Sequence, residues 1–155
     1  VGNEFFTAAG PSGVVKARQV QAMFPTNLKM VIPREDAIET ELVVDPAWLK
    51  ETLGLAKLQA GVMNVCALSL KTDEVLGDCT LTIESKNDDL KRAFKRSIPI
   101  SGKGRDITVG YKIDFLDLVL RVEKPETLNL KIVSESQPTI INDYLLIMPC
   151  LLPGV

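Results

Sequence analysis

The fold is decided by two stretches that resemble each other, LVVDPAWL at residues 42–49 and VGYKIDFL at residues 109–116. Each is a short apolar run, typical of a strand, that leads into a segment with apolar residues at helical spacing. Trp48 corresponds to Phe115, 67 positions later, and the same offset relates Leu53 to Leu120. Strand-like runs follow both segments. The sequence therefore predicts two copies of one strand–helix–strands unit.

Local signals set the bounds of the two helices. Asp45 is a good N-cap residue and Pro46 suits the first helical position. Gly61 is a suitable place for this helix to end. The second helix is predicted over residues 113–122, ending before Pro125, with its apolar residues at Phe115, Leu116, Val119 and Leu120.

Strand-like runs occupy most of the remaining chain. They lie at residues 4–8, 14–20, 38–44, 65–70, 75–85, 93–100, 106–111, 128–133, 139–141 and 144–148. Residues 101–104, with the sequence SGKG, are predicted to form a loop. Because each helix has one apolar stripe, both helices must cover a sheet face. The predicted fold class is α+β, with two helices packed on antiparallel sheets and their polar faces together on one surface.

The composition indicates one compact domain of a cytosolic protein. Hydrophobic residues make up 46% of the 155 residues and charged residues 25%, which is ordinary globular usage. The net charge of −2 does not favour nucleic-acid binding driven by bulk charge. Three cysteines without a CxxC spacing indicate reduced thiols. No run is long and apolar enough to span a membrane, and a start at Val1 rather than Met suggests a fragment.

The sequence has few of the residues and motifs that an enzyme would need. Histidine is absent, which removes the usual general base and the usual metal ligand. There is no P-loop or dinucleotide fingerprint. The acidic pairs Asp73-Glu74 and Asp88-Asp89 lie in apparent turns without the pattern of a calcium loop. The sequence therefore predicts no catalytic residues, no metal and no cofactor, and a small enzyme with a carboxylate-based site has no support.

Four stretches in order carry a resemblance to a known family. They are FPTNLKMVIP at 24–33, VGYKIDFL at 109–116, SESQP at 134–138 and YLLIMPCLL at 144–152. The chain resembles the third, C-terminal domain of the bacterial DNA polymerase III β subunit, the ring-shaped sliding clamp. It differs from the family in having one extra residue between Phe24 and Pro33 and in having Cys150-Leu151 where the family often has Met-Arg. It also continues through residues 153–155.

The resemblance implies a division of the chain and a DNA-clamp fold. Residues 1–23 would be the last strands of the preceding domain, and residues 24–36 the inter-domain connector. Residues 37–152 would be the clamp domain, and residues 153–155 would be a short C-terminal extension after it. The expected function is non-enzymatic: as part of a homodimer ring in the cytoplasm, the protein tethers the replicative polymerase to duplex DNA, which it encircles without reading its sequence.

The resemblance also implies a hydrophobic groove for short peptide motifs of the polymerase and of clamp-loader subunits. In the family, the last strand and the connector line this groove between the second and third domains. For each candidate residue, burial in the core is an equally good interpretation. The candidates are Pro25, Lys29, Met30, Val31, Gln137, Leu146, Ile147, Met148, Pro149, Cys150, Leu151 and Leu152.

Two further surfaces follow from the resemblance. Residues near the end of the first helix, Leu58 and Gln59, are expected at the subunit interface, although core packing explains them equally well. The helices would face DNA and contact phosphates loosely, since base readout would hinder sliding. The residues expected to face DNA are Lys50, Lys57, Lys112, Arg121 and Lys124.

Two interpretations stay open beside these. The basic run at residues 91–96, with Lys103 and Arg105, is read as a solvated face and is not assigned to DNA. A stand-alone protein-interaction module that has the clamp fold and does not encircle DNA is the alternative function.

Overall fold

The computed structural model describes residues 5–10, 13–18, 31–72, 78–87 and 89–152. An N-terminal hairpin of β1 (Phe5–Gly10) and β2 (Gly13–Arg18) forms its own two-stranded sheet. A 3₁₀ helix at Glu35–Ala37 precedes the main domain. The elements that follow are β3 (Thr40–Val44), α1 (Pro46–Gln59), β4 (Val65–Thr72), β5 (Cys79–Asn87), β6 (Arg92–Gly104), β7 (Ile107–Lys112), α2 (Ile113–Glu123), β8 (Leu128–Ile132), β9 (Thr139–Ile141) and β10 (Leu145–Ile147).

The predicted repeat is confirmed, and its two units exchange their first strands. Each unit is a strand, a helix and three further strands, β3-α1-β4-β5-β6 and then β7-α2-β8-β9-β10. The strand order in the antiparallel sheet is β10-β9-β8-β3-β6-β5-β4-β7. Strand β3 of the first unit therefore pairs with β8 of the second, and β7 of the second unit pairs with β4 of the first.

Strand β6 joins the two halves of the sheet. Its residues 92–100 pair with β5, and its residues 101–104 pair with β3. The prediction of a loop at residues 101–104 is therefore wrong. Glycines there permit close backbone approach rather than a break, because a Cβ on Gly102 would lie 3.0 Å from the carbonyl oxygen of Glu41.

The core lies between the two helices and the inner face of the curled sheet. Both helices begin as predicted, and the carboxylate of Asp45 accepts a hydrogen bond of 2.8 Å from the backbone N–H of Ala47. The helices contact each other as well as the sheet. The side chains that they bury in the core are Leu49, Thr52, Leu53, Ala56, Ile113, Leu116 and Leu120.

The two aromatic residues that correspond in the repeat are not equally buried. Trp48 is half-buried, with the guanidinium of Arg96 over its ring at 5.6 Å from the centroid. Phe115, expected in the apolar stripe, is 56% exposed, so that part of the prediction is wrong. The position lies at the flank of α2, one residue before the buried Leu116, and faces away from the core. In the described part of the chain, neither helix has the length and apolar character that crossing a membrane requires.

Candidate partner-binding and DNA-facing surfaces

The chain after β10 runs across β7 and is held there by a close backbone contact. The backbone N–H of Cys150 donates a hydrogen bond of 2.9 Å to the carbonyl oxygen of Gly110. A Cβ on Gly110 would overlap the carbonyl oxygen of Cys150 and lie 2.9 Å from a methyl group of Leu152. Glycine is therefore required at position 110 for this approach. We refer to residues 148–152 as the tail.

A cavity of about 230 Å³ opens beside the tail. This volume is below the range of about 300–1,000 Å³ that is usual for small-molecule pockets, and it suits one or two side chains of a peptide. Among the described lining residues, Glu135 alone carries a carboxylate. The lining residues are Thr108, Gly110, Glu135, Cys150, Leu151 and Leu152.

The groove residues predicted from the sequence divide into four sets. Cys150, Leu151 and Leu152 come together at this cavity, whereas Ile147 belongs to the buried core. Val31, Gln137, Leu146 and Met148 are exposed and Pro149 is half-buried, but none of these five lines the cavity. Pro25, Lys29 and Met30 lie outside the described residues.

Sequence reasoning missed the β7 side of this cavity. Thr108 and Gly110 line it from β7, and Glu135 lines it from the turn before β9. The repeat could have indicated Gly110. This glycine corresponds to Val43 of the first unit, and Val43 pairs with Ser101 of β6. A glycine at the counterpart of a paired strand residue indicates a close approach by another segment.

Lys112 lies next to the tail rather than on an open helix surface. Its Nζ donates a hydrogen bond of 2.5 Å to the carbonyl oxygen of Met63, whose side chain is 58% exposed. Burial raises the pKa of the Cys150 thiol, and the nearby positive charge of Lys112 partly opposes that rise in pKa. Lys112 is therefore held by the loop after α1, with its charge near enough to Cys150 to act on the thiol.

The thiols and the buried phenol near the tail are held in their neutral forms. Burial raises the pKa of Cys66 to about 12. Burial also raises the pKa of Tyr111, whose hydroxyl is 2.5 Å from the hydroxyl of Thr139. Because the thiolate is the reactive form of cysteine, Cys66 and Cys150 are poor nucleophiles at neutral pH.

Two of the five cations on the surface predicted to face DNA are paired with carboxylates. Lys57 forms an ion pair of 2.6 Å with Asp114, and Arg121 forms one of 3.1 Å with Asp117. The hydrogen bonds from Lys57 and then Asn64 lower the pKa of Asp114, which keeps this carboxylate ionised. Of the five predicted residues, Lys50 and Lys124 are exposed on α1 and after α2, and Lys112 is half-buried beside the tail.

Apolar side chains share the surface of α2 with these charges. Phe115, Leu118 and Val122 are each more than half exposed. They follow one another at spacings of three and four residues and so form a stripe along the helix. The exposed surface of α2 is therefore a mixture of ion pairs and apolar side chains.

Comparisons with solved structures give long matches to bacterial sliding clamps. The DNA polymerase III subunit beta from Pseudomonas aeruginosa matches with a TM-score of 0.78 and 17% identity, over 98% of this chain and 41% of that chain. The Thermotoga maritima beta subunit matches with a TM-score of 0.74 and 22% identity, over 92% of this chain and 38% of that one. The chain has the sliding-clamp fold.

A Pseudomonas aeruginosa DnaN sliding clamp bound to griselimycin also has this fold, with a TM-score of 0.77 and 17% identity over 98% of this chain and 40% of that chain. The chain thus spans about two fifths of the sliding clamps that it matches. Comparisons with protein-family models and with curated protein sequences give no match.

In this clamp fold, the residues predicted for the subunit interface lie beside an open strand edge. Leu58 is 73% exposed, which argues against the alternative of core packing, and Gln59 is half-buried. Helix α1 packs on β6, whose residues 92–99 pair on one side with β5 and with no other described strand. An exposed leucine at a helix end next to an unpaired edge is typical of a surface that another chain covers.

Proposed function

We propose that this chain is the C-terminal domain of a DNA sliding clamp, a non-enzymatic processivity factor that acts in the cytoplasm. The observation that carries the proposal is the match of nearly the whole chain, at a TM-score of 0.78, to about two fifths of a DNA polymerase III beta subunit. One domain of a three-domain clamp, together with the connector and the last strands of the preceding domain, would have this share of the length. Tethering, ring formation and partner binding are part of the proposal.

The proposed mechanism is topological. A homodimer ring encloses duplex DNA, so the polymerase attached to the ring stays on its template without sequence-specific contacts. The paired charges of Lys57 and Arg121 support this mechanism, because exposed ion pairs leave little net attraction for phosphate. Lys50 and Lys124 would supply the few loose phosphate contacts.

The tail is the proposed part of a groove for short peptide motifs of the polymerase and the clamp loader. The cavity at Cys150, Leu151 and Leu152 would take an apolar anchor residue, and the exposed Met148 would extend the apolar surface. The predicted connector residues and the preceding domain would complete the groove. Binding by this chain alone is therefore expected to be weak.

Retention on DNA tests the ring. A protein that contains this domain and the two preceding domains is loaded onto nicked circular DNA, and retention is compared with that on linear DNA of equal length. We expect long retention on the circle and rapid loss from the free ends. Equal retention on the two substrates would contradict a topological clamp.

Peptide titration tests the groove. A peptide of the Gln-Leu-x-Leu-Phe type is titrated against a protein that includes the preceding domain, and against the same protein with Met148→Asp. We expect saturable binding that the charged substitution weakens at least about tenfold, since a carboxylate in an apolar contact must be desolvated. Val122→Asp, which likewise replaces an exposed apolar residue with an acidic one but lies on α2, is the matched control. Binding that Met148→Asp leaves unchanged would contradict the groove.

One observation favours a second candidate, an interaction module that does not encircle DNA. The exposed stripe of Phe115, Leu118 and Val122 gives α2 an apolar surface where a clamp would face DNA. A gene that encodes two further domains of this fold upstream favours the clamp, and a gene that encodes this chain alone favours the module.

A further inference from the structure

The two repeat units meet over a large interface and are joined by a very short link. Strand β3 of the first unit pairs with β8 of the second over five residues, and β4 pairs with β7 over six. The helices of the two units also contact each other. Arg105 and Asp106 alone separate the end of β6 at Gly104 from the start of β7 at Ile107. The domain is thus built like two subunits that share one chain.

The interface between the units is formed by buried apolar side chains. Leu42 on β3 and Leu130 on β8 lie opposite each other in the register, and each is 1% exposed. Leu68 on β4 and Val109 on β7 are likewise opposite each other, and both are fully buried. Separation of the units would expose these side chains to water, which is unfavourable. A unit that leaves its partner unit therefore needs another copy of that unit to bury them.

The link is held in one closed shape by contacts to the first unit. The carboxylate of Asp106 accepts hydrogen bonds of 2.8 Å from the N–H of Thr72 and 2.9 Å from the ammonium of Lys71. These hydrogen bonds, that from Thr72 foremost, lower the pKa of Asp106 and keep its carboxylate ionised. The carbonyl oxygen of Arg105 accepts a hydrogen bond of 3.2 Å from the hydroxyl of Thr40. The chain therefore changes direction between β6 and β7 with no spare residue.

A link of this kind favours an exchange of units between two copies of the chain. Gly104, at its start, has a positive φ that residues with a side chain rarely adopt. If the link straightens, the first unit of one copy can pair with the second unit of another through the same strands and helices. The contacts within and between units are then kept, and those of the link alone change. Short, constrained hinge segments promote exchange for this reason.

We propose that two copies of this chain exchange their second units, residues 107–152, across an opened link at Arg105 and Asp106, and so form a dimer of two native lobes. Each lobe contains β3-α1-β4-β5-β6 from one copy and β7-α2-β8-β9-β10 from the other. The partner is a second copy of this chain, because both strand pairings must match in register and in burial. The lining of the tail cavity lies within the second unit, so the exchange leaves it intact and does not rest on the proposed groove or ring.

Paired cysteines test which copy supplies each strand. Val43 on β3 lies directly opposite Asn129 on β8, and both side chains are exposed. One copy carries Val43→Cys and a differently tagged copy carries Asn129→Cys. Cys150→Ser in both removes the native thiol that is not buried. The two proteins are unfolded together in urea, refolded at high protein concentration and treated with oxidised glutathione. We expect a disulfide-linked pair that contains both tags.

The matched control replaces the β3 cysteine with one at an unrelated exposed position. Lys95 on β6 lies opposite Glu84 of β5 rather than opposite Asn129. Lys95→Cys is refolded with Asn129→Cys under the same conditions. We expect at least about tenfold less of the pair with both tags, because cross-strand neighbours alone lie close enough for a disulfide.

The length of the link sharpens the test. Deletion of Asp106 should prevent the closed chain from forming without distortion, so we expect a dimer in size-exclusion chromatography with light scattering even at low concentration. Insertion of Gly-Ser-Gly-Ser after Arg105 should lower the dimer fraction at least about tenfold, because a slack link lets the two units of one chain find each other. The insertion stays informative if the deletion prevents folding. The same insertion after Glu126, in the turn before β8, is the matched control and should leave the dimer fraction unchanged.

Three outcomes would overturn the proposal: the absence of a pair with both tags after joint refolding, equal cross-linking of the control pair, and a dimer fraction that does not depend on the length of the link. The second would indicate non-specific association of the chains. Circular dichroism establishes that the variants fold. Failure of the ring is distinct from these outcomes, because it is measured as equal retention on circular and linear DNA.

Discussion

The two repeat units are alike in order of elements and differ in how their last segments close the sheet. In the first unit, the end of β6 pairs with β3 over four residues, from Ser101 opposite Val43 to Gly104 opposite Thr40. In the second unit, the tail meets β7 through one backbone hydrogen bond among the described residues, from Cys150 to Gly110. The cavity lies where the second closure is incomplete. The first unit thus closes the sheet with its last segment, whereas the second leaves a cavity beside its last segment, which is the proposed partner groove.

The largest loss of stability is expected where the end of β6 pairs with β3. Gly104 has φ of 129°, and a Cβ there would overlap the carbonyl oxygen of Glu39. We expect Gly104→Ala to lower the free energy of unfolding by about 2–4 kcal/mol, from backbone strain and overlap together. Urea denaturation followed by circular dichroism measures it. Gly54→Ala is the matched control, because its Cβ would meet nothing within 4 Å on the exposed face of α1, and it should stabilise by about 0.5–1 kcal/mol. If Gly104→Ala lowers the free energy of unfolding by no more than a typical surface substitution does, the close packing of Gly104 against β3 is contradicted.

A smaller loss of stability is expected at the loosely closed end. The overlap created by Gly110→Ala is with the tail, which can lift away, so we expect a loss of about 1–2 kcal/mol. The lifted tail should be digested faster by carboxypeptidase, and binding of the groove peptide should weaken. The Gly104→Ala variant serves as the comparison below its unfolding transition, where its tail should be digested at the wild-type rate. Unchanged digestion of Gly110→Ala would show that the tail does not depend on this contact.

A buried hydroxyl pair ties β7 to β9 below the tail. The Tyr111 hydroxyl is 2.5 Å from the Thr139 hydroxyl, and both residues are buried. We expect Tyr111→Phe to cost about 1–2 kcal/mol, because the Thr139 hydroxyl loses its partner inside the core. The double variant Tyr111→Phe with Thr139→Val should recover much of this loss, since neither polar group then remains. Additive losses in a double-mutant cycle would contradict a direct interaction.

The smallest effect concerns the contact between the helices of the two units. Hydrogen bonds from Lys57 and Asn64 hold the pKa of Asp114 below its ordinary value in the folded protein. A depressed folded pKa gives stability that is present above the unfolded pKa, near 3.9 for Asp. That stability is lost as pH falls through the folded pKa. We expect Asp114→Asn to be slightly less stable than wild type at neutral pH and to show a smaller loss of stability between about pH 4 and pH 2. Parallel profiles for the two proteins would contradict the assignment.

The sequence predicted the units but not how they interlock. Asp45, Pro46 and the shared spacing were enough for the helices, because capping and periodicity are local properties. The pairing of β3 with β8 joins residues more than 80 positions apart and has no local signal. Residues 101–104 were misassigned because glycine is read as a breaker, whereas here its lack of a side chain permits pairing.

The candidate site was predicted in part for similar reasons. The apolar run at residues 145–152 marked the end of the chain as important, but it does not reveal that Ile147 is buried while Met148 is 56% exposed. Glu135 lies in a polar turn and becomes a lining residue only through the path of the tail. Phe115 was placed in the core because it is apolar, although its position on α2 faces outward. Each of these outcomes depends on distant contacts.

The exchange of first strands has a consequence for how the domain is made. A ribosome releases β3-α1-β4-β5-β6 before β7 and β8 exist, so β3 and β4 gain their partners from the second unit only after that half of the chain is made. Contacts between distant segments slow folding, and such a domain should acquire its native state in one late, cooperative step. If the chain is cut between Gly104 and Ile107, neither piece should fold alone, and the mixed pieces should reassemble into the native domain.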